Sequence, residues 1–262
     1  MSRAFCTVLI VLCCTTAARA ATPLPDGFVY LSNVAPTIVQ DIRYAGSQNI
    51  VGKPLPGYLA PRCILTKSAA QALAKAQAEL LSADLTLRVY DCYRPRRAVA
   101  ALIAWSNDRS DQRMKPEYYP RVEKSELVPL GYLSSASAHA RGSSVDLTVE
   151  RLPLVPPAPW APGQHSCIAP LSARYHDGSI DMGSNYDCMD RISRSDANVG
   201  AVANTHRAML RDLMERYGFT ENGDLWWSFV LNGEPFAKTT FDFPIKSRLR
   251  RHGARRGPAR SS

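Results

Sequence analysis

Ser137-Ala-His-Ala-Arg-Gly-Ser-Ser-Val-Asp146 runs directly into Leu147-Thr-Val149. Val145, Leu147 and Val149 fall at alternate positions and share one face of a strand, which leaves Asp146 on the other and holds its carboxylate out of the apolar core. Seven positions earlier stands His139, and Gly142 lets the backbone bend between the two. A neutral imidazole and an ionised carboxylate brought together by such a bend are two ligands for one zinc ion. The same residue types also build ordinary polar turns, so on spacing alone a loop entering a strand reads equally well.

Outward from this stretch, the pattern mixes helices and strands without βαβ regularity. Loose alternation around Val29, Leu31, Val39 and Ile42 predicts one or two short strands between Phe28 and Tyr44. Ala70, Leu73, Ala74, Ala76, Leu80 and Leu81 recur at helical spacing and predict a helix over Lys67 to Ser82. A strand over Leu85 to Tyr90 follows, then a helix over Arg97 to Trp105 that opens just after Pro95. Residues 107–130 are polar, with Tyr118-Tyr-Pro120 as an anchor, and the proline-dense run from Arg151 to Pro170 must leave the sheet. A helix over Asn204 to Tyr217 closes at Gly218, and a strand over Leu225 to Leu231 ends at the Asn232-Gly233 turn. The expectation is a single α+β domain with a mainly antiparallel sheet flanked by helices.

The ends read differently from the body. Residues 1–20 combine Arg3, an apolar run from Ala4 to Cys14 and Ala18-Arg-Ala20, the pattern of a signal peptide cleaved before Ala21. That run is too short for a permanent membrane anchor. Residues 247–262 carry six arginines among Gly, Pro and Ser with no hydrophobic periodicity, and read as a basic disordered tail. The formal charge of +9 is therefore concentrated in a tail, the body from residue 21 to 246 is nearly neutral, and the balance weighs against a nucleic-acid partner. Four cysteines remain beyond the leader: Cys63, Cys92, Cys167 and Cys188. An even number in a secreted or periplasmic protein predicts disulfides in one of three connectivities, and pairing Cys63 with Cys92 and Cys167 with Cys188 staples neighbouring segments.

Five ordered motifs carry a resemblance. Tyr90-Asp-Cys-Tyr-Arg-Pro95, the Ser137 to Asp146 stretch, Asp181-Met-Gly-Ser184, Trp226-Trp227 and Phe241-Asp-Phe-Pro244 resemble the VanX-type D-alanyl-D-alanine dipeptidases from near Gly27 to near Lys246. The resemblance implies a zinc D,D-peptidase-like fold and hydrolysis of the dipeptide used in peptidoglycan precursors. It implies zinc held by His139, Asp146 and a later histidine, with a glutamate three residues before that histidine as general base and Arg94 stabilising the oxyanion. Zinc lowers the pKa of its bound water to about 7, and a fixed guanidinium stabilises charge that develops only in the transition state. Arg94 also reads as a structural partner of Asp91.

One departure bears on activity. The family's Glu-Trp-Trp-His reads Leu225-Trp226-Trp227-Ser228 here, so the general base and the third ligand are both replaced. Asp224 is the nearest substitute base, although one step along a strand points it to the opposite face. His165, His176, His206 and His252 read as structural or solvated. Two function classes follow: a dipeptidase with a rearranged and impaired site, or a catalytically silent binding protein for a D,D-dipeptide or cell-wall fragment.

Overall fold

The computed structural model describes residues 23–222 and 225–247; the leader, the tail from Arg248 and Asp224 lie outside the described residues. The strands are β1 (Phe28–Tyr30), β2 (Val39–Gln40), β3 (Ile64–Thr66), β4 (Leu85–Asp91), β5 (Ser144–Arg151), β6 (Phe219–Glu221) and β7 (Ser228–Leu231). The helices are α1 (Lys67–Leu81), α2 (Arg96–Asn107), the short α3 (Lys115–Tyr118) and α4 (Ala201–Arg216). Five strands make one sheet in the order β2-β4-β5-β7-β6, antiparallel except for β2 beside β4, and β1 pairs with β3 apart from it. The architecture is the expected α+β one. Pro25–Ser247 form one compact unit. No helix among the described residues is long and apolar enough to cross a membrane.

The register explains the two faces of the sheet. Leu87 pairs with Val149, Val89 with Leu147 and Val145 with Phe229, so one face is a continuous apolar layer. Directly paired residues share a face, so Arg88 with Thr148 and Asp146 with Ser228 belong to the other, polar face. This polar face is not open to water: Asp146, Thr148 and Glu150 are all buried, because the irregular segments of the second half of the chain cover them. Asp146 thus lies across the strand from the apolar core, as its spacing predicts, but at the floor of a covered cleft.

α1 opens at Thr66, whose hydroxyl accepts the amide of Ala69 and is paired with Ser143 Oγ at 2.7 Å. Its buried stripe is Ala69, Ala70, Leu73, Ala76 and Leu80, matching the helical spacing. α2 starts one residue before and ends two residues after the predicted helix, whereas α4 starts three residues earlier than predicted and ends one residue earlier, at Arg216. Both predicted disulfides are formed, Cys63 to Cys92 and Cys167 to Cys188. Residues 152–170 contain no strand or helix, as the prolines require.

The predicted strand over Leu225 to Leu231 begins only at Ser228. Leu225–Trp227 form a turn closed by Ser228 N–H donating to the Leu225 carbonyl at 3.0 Å. Trp226 pins that turn, with its indole N–H on Ser184 Oγ at 2.9 Å and its amide on the Ser193 carbonyl.

Candidate active site

His139 sits on a 3-10 turn (Ala138–Arg141) that ends at Gly142, with φ of +84°. A Cβ on Gly142 would stand 2.2 Å from Phe28 Cε1. Phe28 cannot yield, because it packs against Tyr93, Phe236, Phe241 and Phe243. The left-handed backbone and the collision together make Gly142→Ala cost about 2–4 kcal/mol. At about 2–4 °C per kcal/mol for a domain of this size, its melting temperature is expected to fall by roughly 5–15 °C. A variant melting within a degree of the native chain in a thermal scan would contradict this packing.

The Phe241 to Pro244 motif serves the same turn. Phe241 N–H donates to the Ala140 carbonyl at 2.8 Å, and Tyr93 OH to the Phe243 carbonyl at 3.1 Å. The motif is scaffold behind His139.

Asp91 reaches the polar face beside Asp146 through a backbone irregularity. Continued alternation from Leu87 and Val89 would turn it into the apolar layer, but a bulge lies between Val89 and Asp91. The bulge brings Asp91 opposite Asp146, on the polar face. There its Oδ1 accepts from Tyr58 OH at 2.6 Å, and its Oδ2 accepts from Arg94 Nε at 2.8 Å and pairs with Arg94 Nη2 at 2.7 Å.

The imidazole of His139 lies between two carboxylates. Nδ1 is 2.8 Å from the Cys92 carbonyl, which can only accept, so Nδ1 carries a proton. Asp91 Oδ2 is 3.5 Å away on this side. Nε2 points the other way, 3.1 Å from Asp146 Oδ1, a buried oxygen that accepts no hydrogen bond. Asp146 Oδ2 accepts from Tyr186 OH at 3.1 Å and is 3.7 Å from Arg94 Nη2.

Burial acts on all these groups. It disfavours the charged imidazole, yet Asp146 and then Asp91 outweigh it and hold His139 above the usual histidine range. Burial also pushes Asp146 up, but His139 and Arg94 prevail and hold it below the usual carboxylate range. For Asp91 burial prevails over Arg94 and His139, and the group is raised.

A third acid stands on the cleft wall. Asp187 has φ of +63°, a left-handed conformation that Asp tolerates better than most residues. Its oxygens accept from Tyr44 OH at 3.0 and 3.2 Å. Burial, reinforced by Asp146, pushes it up to about 7 despite Arg94. The cleft has a volume of about 250 Å³, and His139, Asp146, Arg94, Asp187, Leu225 and Ser228 are among its walls. That is at the small end for a ligand pocket.

Among the described residues, Asp91, His139 and Asp146 form the one group of three metal-capable side chains, one ligand atom of each lying within 4.8 Å of the others. The donor set matches a catalytic zinc only in part. Nε2 of His139 and the unpartnered Oδ1 of Asp146 face each other at a separation that two zinc ligands can take up, about 3.3 Å for bonds near 2.05 Å at tetrahedral angles. Asp91 is engaged by Tyr58 and Arg94 and lies toward Nδ1, away from that meeting point. Ser228, across from Asp146 in the β5–β7 register, bonds the Asp146 carboxylate through a neutral hydroxyl. Among the described residues, His139 and Asp146 would thus offer two of the three protein ligands that catalytic zinc sites use.

The predicted site residues are thus partly gathered. His139, Asp146 and Arg94 meet in the cleft, and Arg94 is both the salt-bridge partner of Asp91 and a wall of the cleft, stacked 4.8 Å over Tyr44. Leu225 and Ser228 line it too. Asp224 and His252 lie outside the described residues. His165 and His206 are bonded through Nδ1 to the carbonyls of Ala173 and Asp181, His176 is exposed, and none of the three lines this cleft. Sequence reading missed Asp91 as a potential ligand and Asp187 altogether.

The family model described as D-ala-D-ala dipeptidase matches residues 25–158 and 152–246. The chain belongs to the D-Ala-D-Ala dipeptidase family. It is 34% identical over 224 residues to the D-alanyl-D-alanine dipeptidase of Enterococcus faecium, covering 84% of this chain and 98% of that one. To the Streptomyces coelicolor D-alanyl-D-alanine dipeptidase it is 35% identical, covering 83% and 98%. To that of Escherichia coli it is 28% identical, covering 78% and 83%.

Proposed function

We propose that this chain is an exported member of the family that receives D-alanyl-D-alanine or a closely similar D,D-dipeptide and hydrolyses it poorly or not at all. The observation that carries this reading is Ser228 facing Asp146 across the β5–β7 register, with Leu225 on the cleft wall, where the family pattern has its histidine and glutamate. A serine hydroxyl is a weak ligand, and leucine can neither orient a water nor take its proton. No catalytic step through zinc is assigned to this chain.

Binding is better provided for than hydrolysis. Asp187 and Asp146 present carboxylates to a dipeptide ammonium, and Arg94, fixed by Asp91, presents a guanidinium to its carbonyl. The leader and the two disulfides support an oxidising, extracytoplasmic location, secreted or periplasmic.

Calorimetric titration of the mature protein with D-Ala-D-Ala, alongside metal analysis and measurement of released D-alanine, tests the proposal. Saturable binding with hydrolysis barely above the buffer rate is expected. Stoichiometric zinc together with turnover of about 1–1,000 per second, the ordinary enzymatic range, would sink it.

A further inference from the structure

We infer that the two disulfides are positioning elements of the site, each locking the residue that directly follows a buried aspartate, Asp91 behind the cleft wall and Asp187 on it. Cys92 follows Asp91, and Cys188 follows Asp187. Bridges that served only to close loops could fall anywhere along the segments they join. Both instead land one residue from a buried carboxylate of the site: Asp91, which holds Arg94 and lies beside His139, and Asp187 on the cleft wall.

Cys92 stands just past the β4 bulge, where the chain has left the sheet ladder. Its carbonyl is therefore free to accept the His139 Nδ1 proton at 2.8 Å, the bond that turns Nε2 toward Asp146. The following residues continue the suspension: Tyr93 N–H donates to the Ile64 carbonyl at 2.9 Å, and Arg94 N–H to the His139 carbonyl at 3.1 Å. The segment carrying Asp91, the Cys92 carbonyl and Arg94 thus hangs between β3 and the His139 turn. The bridge to Cys63, whose carbonyl accepts from Leu31 N–H at 3.0 Å, fixes it on the β3 side.

Asp187 lies in an irregular run and adopts a left-handed backbone. Cys188 ties this run to Cys167, whose amide donates to the Glu117 carbonyl at 2.8 Å, while Met189 N–H donates to the Tyr118 carbonyl at 2.7 Å. The acid is thereby fastened to α3. A side chain held by packing and second contacts keeps its working geometry, whereas one on a free loop does not.

The role given to Asp187 rests on the proposed dipeptide binding; the role given to Cys92 does not. Two double variants, Cys63→Ala with Cys92→Ala and Cys167→Ala with Cys188→Ala, separate them, with serine pairs at the same positions as second versions. Long-range proton–nitrogen spectra report the hydrogen bonding of each His139 ring nitrogen without any ligand. Loss of the Cys63–Cys92 bridge is expected to loosen the bond from Nδ1 to the Cys92 carbonyl, moving the Nδ1 signal, and to weaken D-Ala-D-Ala binding at least tenfold. Loss of the Cys167–Cys188 bridge is expected to leave His139 unchanged and to weaken D-Ala-D-Ala tenfold or more, with no effect on the N-acetylated dipeptide, which lacks the ammonium. Folded variants with native His139 spectra and native affinities would overturn the inference. So would failure of both the alanine and serine versions to fold, since the bridges would then serve the fold and not the cleft. If the native protein binds no dipeptide, the functional proposal fails, and the His139 spectra still decide the part played by Cys92.

Discussion

Leu225→Glu combined with Ser228→His is expected to yield zinc-dependent D-Ala-D-Ala hydrolysis at least about 100-fold above either single variant, general-base assistance alone being worth about 100- to 10,000-fold. Position 228 is paired directly with Asp146, so a histidine there emerges on the same face, beside the unpartnered Asp146 Oδ1 and His139 Nε2. Position 225 is on the cleft wall, 7% exposed, at the start of the turn that Ser228 closes. A glutamate in that place brings a proton acceptor to the same space. Each part is of little use alone: a third ligand without a base, or a base without a complete ligand set, leaves a step unassisted, so the two changes should combine far from additively. Released D-alanine, followed with zinc added and with a chelator, measures the effect. A native chain that already hydrolyses the dipeptide at a rate the double variant does not improve would show that other residues replace the missing pair.

How far the site could be read in the sequence follows from what each residue depends on. His139 and Asp146 were legible because one local motif carries both, and β5 obeys a simple alternation that puts Val145, Leu147 and Val149 on the opposite face. Arg94 was legible through its motif, and its partner Asp91 as a salt bridge. Asp91 as a neighbour of His139 and Asp146 was not, because regular alternation along β4 sends it into the apolar layer and only the bulge redirects it. A bulge leaves no periodic signature.

The strand predicted over Leu225 to Leu231 failed at its first three residues for a related reason. Leu, Trp and Trp have the composition of a strand, but Trp226 finds Ser184 and Ser193, more than thirty residues away in sequence, and these tertiary bonds bend the segment into a turn. The helices were easier to read. Their apolar stripes are local and long, and the end residues that differ are those a helix boundary leaves least determined.

Asp187 was invisible for the strongest reason: its place on the cleft wall and its raised pKa come from burial, which a sequence does not display. The same burial gives it an expected conflict between stability and binding. Its pKa of about 7 in the fold stands well above the value near 3.9 of an unfolded aspartate. A group raised in this way lends its full stability below the unfolded pKa and loses it as pH rises through the folded pKa, so the native domain should weaken between about pH 4 and pH 8 on this account. A shift of about three pKa units corresponds to roughly 4 kcal/mol. Asp187→Asn removes the ionisation and keeps an oxygen for Tyr44, so it should raise stability by about 2–4 kcal/mol at pH 8 and by little at pH 4. On the proposed reading the same change deletes the partner of the dipeptide ammonium, at a cost of about 2–5 kcal/mol, or roughly 30- to 3,000-fold in affinity. Native affinity should also strengthen as pH rises through 7 and Asp187 ionises, and the variant should lack that rise. Thermal scans at pH 4 and pH 8, with titrations across the same range, measure both effects. An asparagine variant that is no more stable at pH 8 and binds D-Ala-D-Ala as the native chain does would mean that Asp187 is neither strained by burial nor in contact with the ligand.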